Sequence, residues 1–435
     1  MEDDGLFQYL RGLVDHVIRA SDLYLRTRSA LERDKPNARI IIAFGKASVP
    51  MAKAAVEVLG DRVEGGVVII PKWREPVELG NLEVIRANHP VPDEGSLKAG
   101  EAVIEWSRAA SGKGLLVLVS GGGSALVEKP QEGLTLEDLT TTTKLLLNSG
   151  ANIHEINTVR KHLSMVKGGW LAKHAEPGPV YAYYASDVPG DRFESIASGP
   201  TAPDPTTYSD ALLVLKRYEL LGKVPMSVVK ILEEGASGRR PETPKPDDPV
   251  FRNVSNKLVA ANIDVLIGLQ DVLEKDGFNT LILTSRLDGD SREVGKALAS
   301  ITLEILERGV PIRPPAALLL GGETSVKVKN PEGRGGRNQE LALSWLLYVD
   351  KWLSDDGRVG LLAMDTDGID GNSPAAGAIV VSGMSKLARD KGFDPYLYLE
   401  ENDSYELLKA IGSTIETGGL DSNLNSVVII LIKKV

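Results

Sequence analysis

Residues 115–124 read LLVLVSGGGS, a short apolar run that passes directly into three consecutive glycines. An uninterrupted apolar run of this length, followed by turn residues, is typical of a strand buried on both faces of a sheet. Three adjacent glycines cost backbone entropy, and their exposed N–H groups suit the oxygens of a phosphate or carboxylate. The stretch therefore predicts a parallel-sheet strand that ends in an anion-binding loop, with close packing on a neighbour as the alternative; the loop residues are Ser120, Gly121, Gly122, Gly123 and Ser124.

Similar apolar runs alternate with helix-like stretches on both sides of this segment, which is the pattern of βαβ units. A stretch rich in proline and charge at 235–250 reads as a linker, and the pattern restarts after it. We therefore predict an α/β fold with mostly parallel sheets, in two domains (1–240 and 241–435) with a cleft between them. We expect one helix to begin after Thr135, with Asp138 at its third position. Single helices are predicted over 4–30, 155–174 and 256–276. The runs 316–320 and 325–329 are predicted to form paired strands.

Composition narrows the class of protein. The chain has 435 residues, a formal net charge of −10, 5 histidines, 44 glycines and no cysteine. Disulfides and thiolate metal sites are excluded, and no apolar run approaches the length of a membrane span. The acidic N-terminus lacks the pattern of a secretory signal, and the chain lacks the dense Lys/Arg patch of a nucleic-acid-binding protein. We expect a cytoplasmic protein without membrane or nucleic-acid partners, as a monomer or homodimer.

Three further glycine-containing turns, at 45–48, 321–324 and 333–340, contain residues suited to binding an anion. Lys46 follows the run 40–44 and Gly45, where it is able to reach an anion at a helix start. The segment 333–340, GRGGRNQE, offers two arginines among glycines, and arginine presents a planar fork of donors to phosphate. The alternative interpretation without a ligand is a helix cap with an exposed lysine for Lys46 and a solvent-exposed basic turn for 333–340. The predicted binding residues from these turns are Gly321, Gly322, Glu323, Arg334, Arg337 and Asn338, together with Arg160 on a predicted helix.

Carboxylates at strand ends suggest a magnesium-nucleotide site. Asp187 and Asp191 follow the apolar run 180–185, and Asp365 and Asp367 follow another apolar run. Mg²⁺ uses one or two carboxylates together with phosphate oxygens and water, whereas a single aspartate often only organises its own turn. His89 and His162 are ambiguous between a base and a structural role. Neither G-x-x-x-x-G-K-[ST] nor G-x-G-x-x-G occurs, so the P-loop and dinucleotide fingerprints are both missing.

The ordered motifs GKAS, NHPVPDEGS, SGGGSAL, INTVRKHLSMVKGG, SDVPGD with IASGPT, LGGETSVKV, GRGGRNQE and DTDGIDG resemble those of the class II glycerate kinase family. The resemblance runs from about residue 40 to beyond residue 380. It implies a larger Rossmann-like N-terminal domain, a smaller C-terminal MOFRL domain, and phosphorylation of D-glycerate by ATP and Mg²⁺, in many members at the 2-hydroxyl. The competing activities are a hydroxypyruvate reductase and a kinase that forms 3-phosphoglycerate, and a non-catalytic binding module is a third possibility.

The resemblance also assigns roles to individual residues. It places the catalytic lysine at Lys46 and the catalytic arginine at Arg337, with Arg334 as the alternative. Asp187 becomes a metal ligand or base, and the metal set is Asp187, Asp365 and Asp367. The 120–124 loop is expected to hold either the nucleotide phosphates or the substrate, and Arg160 is expected to bind the glycerate carboxylate. The segment 417–426, TGGLDSNLNS, departs from the family pattern, so no role is assigned to it.

Overall fold

The computed structural model describes residues 4–353 and 357–433. The chain divides into two compact units, Leu23–Val259 and Met1–Asp22 with Ala260–Val435. The division therefore falls later than residue 240, and the first helix belongs with the C-terminal unit. The stretch 235–250 stays with the first unit because Thr243 Oγ1 donates to Asp204 Oδ2 (3.1 Å) and the Asp204 N–H donates to the Pro244 carbonyl (2.9 Å).

The described residues form strands in both units. They are β1 (Ile40–Phe44), β2 (Gly65–Pro71), β3 (Leu82–Ala87), β4 (Leu115–Val119), β5 (Val180–Ala185), β6 (Val254–Ala260), β7 (Asn279–Leu287), β8 (Ala316–Gly322), β9 (Val359–Asp365), β10 (Gly377–Val381), β11 (Thr414–Ile415) and β12 (Ser426–Ile432).

The helices are labelled in the same way. They are α1 (Asp4–Ala20), α2 (Leu23–Asp34), α3 (Ser48–Leu59), α4 (Glu94–Ala109), α5 (Gly123–Leu126), α6 (Leu136–Asn148), α7 (Ile153–Lys161), α8 (Trp170–His174), α9 (Tyr208–Arg217), α10 (Met226–Ala236), α11 (Asn262–Lys275), α12 (Ser291–Arg308), α13 (Arg337–Val349), α14 (Met384–Asp390), α15 (Pro395–Glu400) and α16 (Ser404–Ala410). None of the helices in the described part of the chain is both long and apolar enough to cross a bilayer.

The first unit is built on a doubly wound sheet. Within the described residues its strand order is β3-β2-β1-β4-β5-β6. The pairs β1–β2, β2–β3, β1–β4 and β4–β5 are parallel, which confirms the expectation for this sheet. Every residue of β1 and β4 is buried, as the uninterrupted apolar runs predicted. The strand order reverses between β1 and β4, and this reversal determines where a ligand-binding crevice forms.

The second unit contains a mixed sheet with the order β11-β10-β9-β12-β8-β7 among the described residues. Strands β7 and β8 are parallel, but β8–β12, β12–β9, β9–β10 and β10–β11 are antiparallel. The expectation of mostly parallel pairing is therefore wrong for this sheet. Leu6 and Leu10 of α1 are buried, and a Cβ at Gly360 of β9 would lie 2.7 Å from Leu10 Cδ1, which is why α1 belongs to this unit.

Several local expectations need correction. The predicted hairpin of 316–320 and 325–329 is absent from the described structure, because the Gly-Gly pair lies inside β8 and 325–329 forms no strand. The opening helix is broken between α1 and α2, and the helix over 155–174 is broken before α8, where Gly168 and Gly169 have φ of +58° and +89°. Strand β6 occupies the start of the predicted helix 256–276.

One local expectation is confirmed in full. The Thr135 side chain accepts a hydrogen bond from the Asp138 N–H (3.1 Å), and the Asp138 side chain accepts one from the Thr135 N–H (2.9 Å). This reciprocal pair satisfies two backbone donors at the start of α6, where no helical carbonyl is available to them. Threonine at the N-cap and aspartate at the third position therefore fix where α6 begins.

Candidate active site

The loops after β1 and β4 are joined where the strand order of the first sheet reverses. The Lys46 N–H donates to the Gly121 carbonyl (2.8 Å), and the Ser120 N–H donates to the Phe44 carbonyl (3.1 Å). The Ala47 N–H donates to the Ser120 hydroxyl (3.0 Å). Sheets of this order bind ligands beyond the carboxyl ends of the strands at the reversal. The fold thus brings two of the predicted anion loops together where such a sheet binds its ligand.

Lys46, His89 and Gly122 meet at this place. Gly122 has φ +82°, and a Cβ built on it would lie 3.0 Å from His89 Cδ2 and 3.4 Å from Lys46 Cγ. The left-handed backbone favours glycine here, and a Cβ would crowd the His89 ring. Burial, with the charge of Lys46 adding to it, lowers the pKa of His89 from its ordinary value of 6.5. His89 is consequently a neutral imidazole at pH 7.

A second group of side chains supports the same loop from α7. Arg160 Nη2 donates to the Ser124 carbonyl (2.9 Å). The Ser124 and Ser198 hydroxyls lie 2.7 Å apart, and Ser198 Oγ donates to Asn157 Oδ1 (3.0 Å). Asn157 and Ser198 are both buried. The glycine loop is therefore held on one side by α7 and on the other by the segment around Ser198, which fixes the direction of its donors.

The segment that carries Ser198 has a strained backbone. Ala197 and Ser198 have φ of +49° and +60°, and Gly199 follows with φ +64°. Each non-glycine residue in this region costs roughly 1–2 kcal/mol. Such strain persists only where surrounding contacts hold it, and it is concentrated at functional sites. The two strained residues adjoin the glycine loop directly, since a Cβ at Gly123 would lie 2.9 Å from Ala197 Cβ.

A buried ion pair lies under the loop. Lys167 Nζ is 2.5 Å from Glu128 Oε2, and Ser164 Oγ donates to Glu128 Oε1 (2.6 Å). Burial lowers the pKa of Lys167 to about 8, and Glu128 opposes that change. Burial also lowers the pKa of Arg160, again opposed by Glu128. Among the described residues, no carboxylate lies within 4 Å of the Arg160 guanidinium. The nearby carboxylate of Glu128 is already paired with Lys167, so an incoming anion would compensate the charge of Arg160.

Asp187 and Asp191 lie in the turn that follows β5. Both side chains are partly buried, and the Asp191 N–H donates to the Val188 carbonyl (3.0 Å). Asp191 has φ +55°, a conformation that aspartate tolerates better than most residues. The turn therefore presents Asp187 at the carboxyl end of β5, the neighbour of β4 in the sheet.

In the second unit, Arg337 is the centre of a charged cluster. It is the first residue of α13 and forms an ion pair with the Asp365 carboxylate at the end of β9. Its Nη1 is 2.8 Å from Glu323 Oε1, and its Nε donates to Ser426 Oγ (3.3 Å). Burial lowers the pKa of Arg337 but Asp365 and Glu323 raise it by more, so the net direction is upward. The arginine is held by residues from three strand ends.

Asp365 is the most perturbed carboxyl group of this cluster. It is fully buried, and burial together with the negative charges of Asp367 and Asp370 raises its pKa from 3.8 to about 7 against the opposing effect of Arg337. Its Oδ1 is buried without a hydrogen-bond partner among the described residues. A strongly shifted carboxyl group with an unsatisfied oxygen is typical of a functional site.

The start of α13 is already capped by the protein itself. The N–H groups of Asn338 and Gln339 donate to the two Asp370 carboxylate oxygens at 3.1 and 3.0 Å. The Asn338 amide donates to Asp370 Oδ1 (3.2 Å) and Ser426 Oγ (3.0 Å). Asn338 is buried, so its observed contacts are structural and its predicted role in ligand binding gains no support from them.

Glycines of the second unit make room for neighbouring chain segments. A Cβ at Gly321 would collide with the Asn262 side chain, and one at Gly322 would collide with the Leu287 backbone. A Cβ at Gly336 would collide with Asp370. Close packing is therefore sufficient to account for these glycines, and the predicted roles of Gly321 and Gly322 in binding stay predictions.

Arg334 and Arg337 differ sharply in their surroundings. Arg334 Nη1 is 2.7 Å from Glu406 Oε1 in a half-exposed ion pair, and its guanidinium lies 4.6 Å from the centre of the Tyr405 ring. Arg337, in contrast, contacts the buried Asp365. The arrangement favours Arg337 over Arg334 as the functional arginine.

His162 has the surroundings of a structural residue. Its ring is completely buried, its Nδ1 is 2.7 Å from the Thr158 carbonyl, and its Nε2 is 3.0 Å from Glu242 Oε1. It also packs edge-on against the Tyr208 ring, with centroids 4.8 Å apart. These contacts belong to the helical layer of the first unit, so we assign His162 no part in the site.

The structure adds residues that the sequence did not single out as site residues. They are Asn157, Ser198, Glu128 and Lys167 around the glycine loop, and Ser426 and Asp370 around Arg337. Hydroxyl-rich IASGPT and the INTVRKH segment were visible signals for Ser198 and Asn157. No cluster of three or more His, Asp or Glu residues with a metal-binding arrangement occurs within 4–353 and 357–433.

Comparison with known proteins covers nearly the whole chain. A family model described as a domain of unknown function, DUF4147, matches residues 10–233, and the MOFRL family model matches residues 316–426. A glycerate 2-kinase of Pyrococcus horikoshii is 45% identical over 393 residues, which is 90% of this chain and 87% of that protein. A protein of Agrobacterium vitis that carries the provisional name of a hydroxypyruvate reductase is 39% identical over 98% of this chain and 94% of its own. The crystal structure of glycerate kinase from Thermotoga maritima superposes with a TM-score of 0.89 at 40% identity, covering 98% of this chain and 99% of that one.

Proposed function

The chain belongs to the glycerate 2-kinase family, in which a DUF4147 domain precedes a MOFRL domain, and from this membership we propose that it is an ATP-dependent D-glycerate kinase. The reaction transfers the terminal phosphoryl group of ATP to the 2-hydroxyl of D-glycerate and releases ADP and 2-phosphoglycerate. We place it in the cytoplasm, where ATP is available. The relatives named as glycerate kinases support the substrate pair, and the residues below support the chemistry.

The observation that carries the proposal is the joined pair of loops at the strand reversal. Phosphoryl transfer needs positioning and neutralisation of charge more than covalent chemistry. The loop of Gly121, Gly122 and Gly123 offers backbone donors, and Lys46 and Arg160 add positive charge beside it. This combination suits a polyphosphate or a carboxylate.

Arg337 supplies the second positive group that the transfer requires. Asp365 and Glu323 hold its guanidinium in place, so little reorganisation is needed when charge develops on the phosphoryl oxygens. An arginine in this role is worth roughly 10³–10⁵ in rate. Asp187, partly buried at the end of β5, is the candidate to accept the proton of the attacking hydroxyl if it does not bind the metal.

The residues present fit a magnesium ion that is held chiefly by phosphate oxygens. Asp365 has a buried Oδ1 without a partner among the described residues, and Mg²⁺ takes one or two carboxylates in such sites. We propose Asp365 and Asp367 as these ligands, with Asp187 as the other candidate. When bound, the ion neutralises phosphate charge. Arg337 and Lys46 act on the remaining charge, and Asp365 is able to serve both groups because Arg337 contacts its Oδ2 and leaves Oδ1 without a partner among the described residues.

The test is ADP formation with purified chain, ATP, Mg²⁺ and D-glycerate. We expect ADP release that depends on D-glycerate, and a fall of at least about a hundredfold in turnover for Lys46→Ala. Lys53→Ala on the exposed face of α3 is the matched control and is expected to retain wild-type turnover. Similar turnover in Lys46→Ala and Lys53→Ala would contradict the role of Lys46.

A second arm tests the reductase activity that the Agrobacterium relative's name suggests. Hydroxypyruvate and NADH replace the kinase substrates in the same protein preparation. We expect no oxidation of NADH, because the dinucleotide fingerprint is missing from the sequence. Oxidation of NADH without any ADP formation in the first arm would replace the kinase by the reductase.

A further inference from the structure

A cavity of about 680 Å³ opens in the unit Leu23–Val259. One part of its wall is polar and is formed by His89, Gly122, Ser124 and Arg160. These residues contact one another as described above, so this part of the wall adjoins the glycine loop. The cavity is therefore continuous with the place where the proposed function requires an anion.

Much of the remaining wall is apolar, and this apolar part is too extensive for a three-carbon acid. Leu139, Val159 and Leu163 line it together with Val91 and Leu147. Pockets of roughly 300–1,000 Å³ with mainly apolar walls and a few polar groups hold ligands of drug size. A nucleoside has this size and this mixture of surfaces, whereas glycerate exposes a hydroxyl or carboxylate oxygen on every carbon.

Two of the lining side chains are apolar and face water. Leu147 is 60% exposed on α6, and Val91 is 56% exposed in the loop before α4. Both belong to the cavity wall, so a flat aromatic ligand would remove their apolar surface from water. Thr140, Thr143 and Asn148 on the same helix supply hydroxyl and amide groups for the edge of a base or a ribose.

The charge of the polar part selects an anion. Glu128 also lines the cavity, but its carboxylate is bound by Lys167 and Ser164. The guanidinium of Arg160 therefore adds positive charge to this part of the wall, and Lys46 lies beside Gly122. A ligand with an anionic end and a flat, mainly apolar end matches this wall, because the anionic end suits the part beside Arg160 and the flat end suits the part beside Leu147 and Val91.

We propose that this cavity is the nucleoside site of the enzyme, with the purine base against Leu147 and Val91 and the phosphates toward Gly122, Ser124 and Arg160. The inference rests on the proposed kinase activity and assigns the glycine loop after β4 to the nucleotide. D-Glycerate consequently binds through other residues, and Arg160 contacts phosphate, not the glycerate carboxylate.

The test compares Leu147→Gln with Leu213→Gln. Leu213 on α9 is 54% exposed in the same unit and does not line the cavity, so it controls for a new polar group on the surface. Calorimetry gives the Kd of ADP for each variant, and competition gives the inhibition constant of tripolyphosphate. For Leu147→Gln we expect about a tenfold weaker Kd for ADP, an unchanged constant for tripolyphosphate and an unchanged KM for D-glycerate.

A second variant is needed in case the glutamine of Leu147→Gln adapts to the ligand and leaves the ADP affinity unchanged. Thr143→Phe fills the cavity from the same helix and is expected to weaken ADP binding at least as much, with the melting temperature recorded to verify folding. Equal ADP affinity in Leu147→Gln, Thr143→Phe and Leu213→Gln would overturn the inference, as would a raised KM for D-glycerate alone. ADP binding that depends on Leu147 in a protein without kinase turnover would instead remove the proposed function and keep the site.

Discussion

Two residues of the candidate site, Gly122 and Arg337, adopt arrangements that reduce the stability of the fold. Gly122 is held at φ +82°, and a Cβ there would lie 3.0 Å from His89, so a side chain would have to push the imidazole aside. Arg337 pairs with a fully buried aspartate, although an exposed ion pair like that of Arg334 would cost less desolvation. Both arrangements lower the stability of the folded chain, and residues of this kind are concentrated at functional sites.

Arg337 and Arg334 allow a matched pair of substitutions. Arg337→Lys keeps the charge but loses the planar fork that binds Asp365, Glu323 and Ser426 together. We expect kcat/KM to fall at least about a hundredfold for Arg337→Lys and less than about threefold for Arg334→Lys. Steady-state kinetics with ATP and D-glycerate measure both values. A larger loss for Arg334→Lys would move the catalytic role to Arg334.

Gly122 and Gly112 provide a second comparison. Both have a left-handed backbone, with φ of +82° and +75°, but a Cβ at Gly112 meets no atom within 4 Å. Replacement by alanine should therefore lower the free energy of unfolding by about 1 kcal/mol in both variants. Only Gly122→Ala crowds the His89 ring, so we expect turnover to fall at least about tenfold in that variant alone. Loss of turnover in Gly112→Ala as well would show that backbone strain, and not local crowding, is responsible.

At the scale of elements, the last residue of α2 ties that helix to two strands. Asp34 accepts a hydrogen bond from the Tyr183 hydroxyl on β5 (3.1 Å), and it pairs with Lys257 on β6 (2.9 Å) and with Arg33 (3.0 Å). Burial alone would raise the pKa of Asp34, but these partners lower it from 3.8 to about 2. The carboxylate is thus more stable in the folded chain than in the unfolded chain.

The pKa of Asp34 predicts how stability depends on acid. Because the folded pKa lies below the unfolded value, the contribution is complete above about pH 4 and is lost as pH falls toward 2. We expect Asp34→Asn to lower the free energy of unfolding by about 1 kcal/mol at pH 7, after allowance for screening of its exposed partners. Urea titrations at pH 7, 4.5 and 3 measure the difference, with the exposed Asp61→Asn as control. A difference that stays constant down to pH 3 would contradict this assignment.

For the molecule as a whole, the parallel sheet could be predicted because its strands are continuous apolar runs. The antiparallel strands of the second sheet could not, since a fully buried run such as 359–365 looks the same in either kind of sheet. β6 was missed because most of its residues are partly exposed. The Gly321-Gly322 pair imitates a turn, but it lies inside a strand to make room for Asn262 and Leu287.

The candidate site was predictable to the extent that its chemistry is contiguous in the chain. Lys46 and the 120–124 loop each follow a strand directly, so the sheet alone brings them to one edge. Ser198 and Asn157 reach the same loop through tertiary contacts between distant segments, which no local pattern encodes. The glycines near Arg337 could not be interpreted without knowing which segments pack on them.

The central claim is that this chain phosphorylates D-glycerate at its 2-hydroxyl. The most direct measurement is ³¹P NMR of a reaction containing the full chain, ATP, Mg²⁺ and D-glycerate, with authentic 2- and 3-phosphoglycerate as standards. We predict that the ATP signals are replaced by those of ADP and of a single phosphomonoester that coincides with 2-phosphoglycerate. A phosphomonoester that coincides with 3-phosphoglycerate, or ATP that remains unchanged while the protein is folded, would contradict the account.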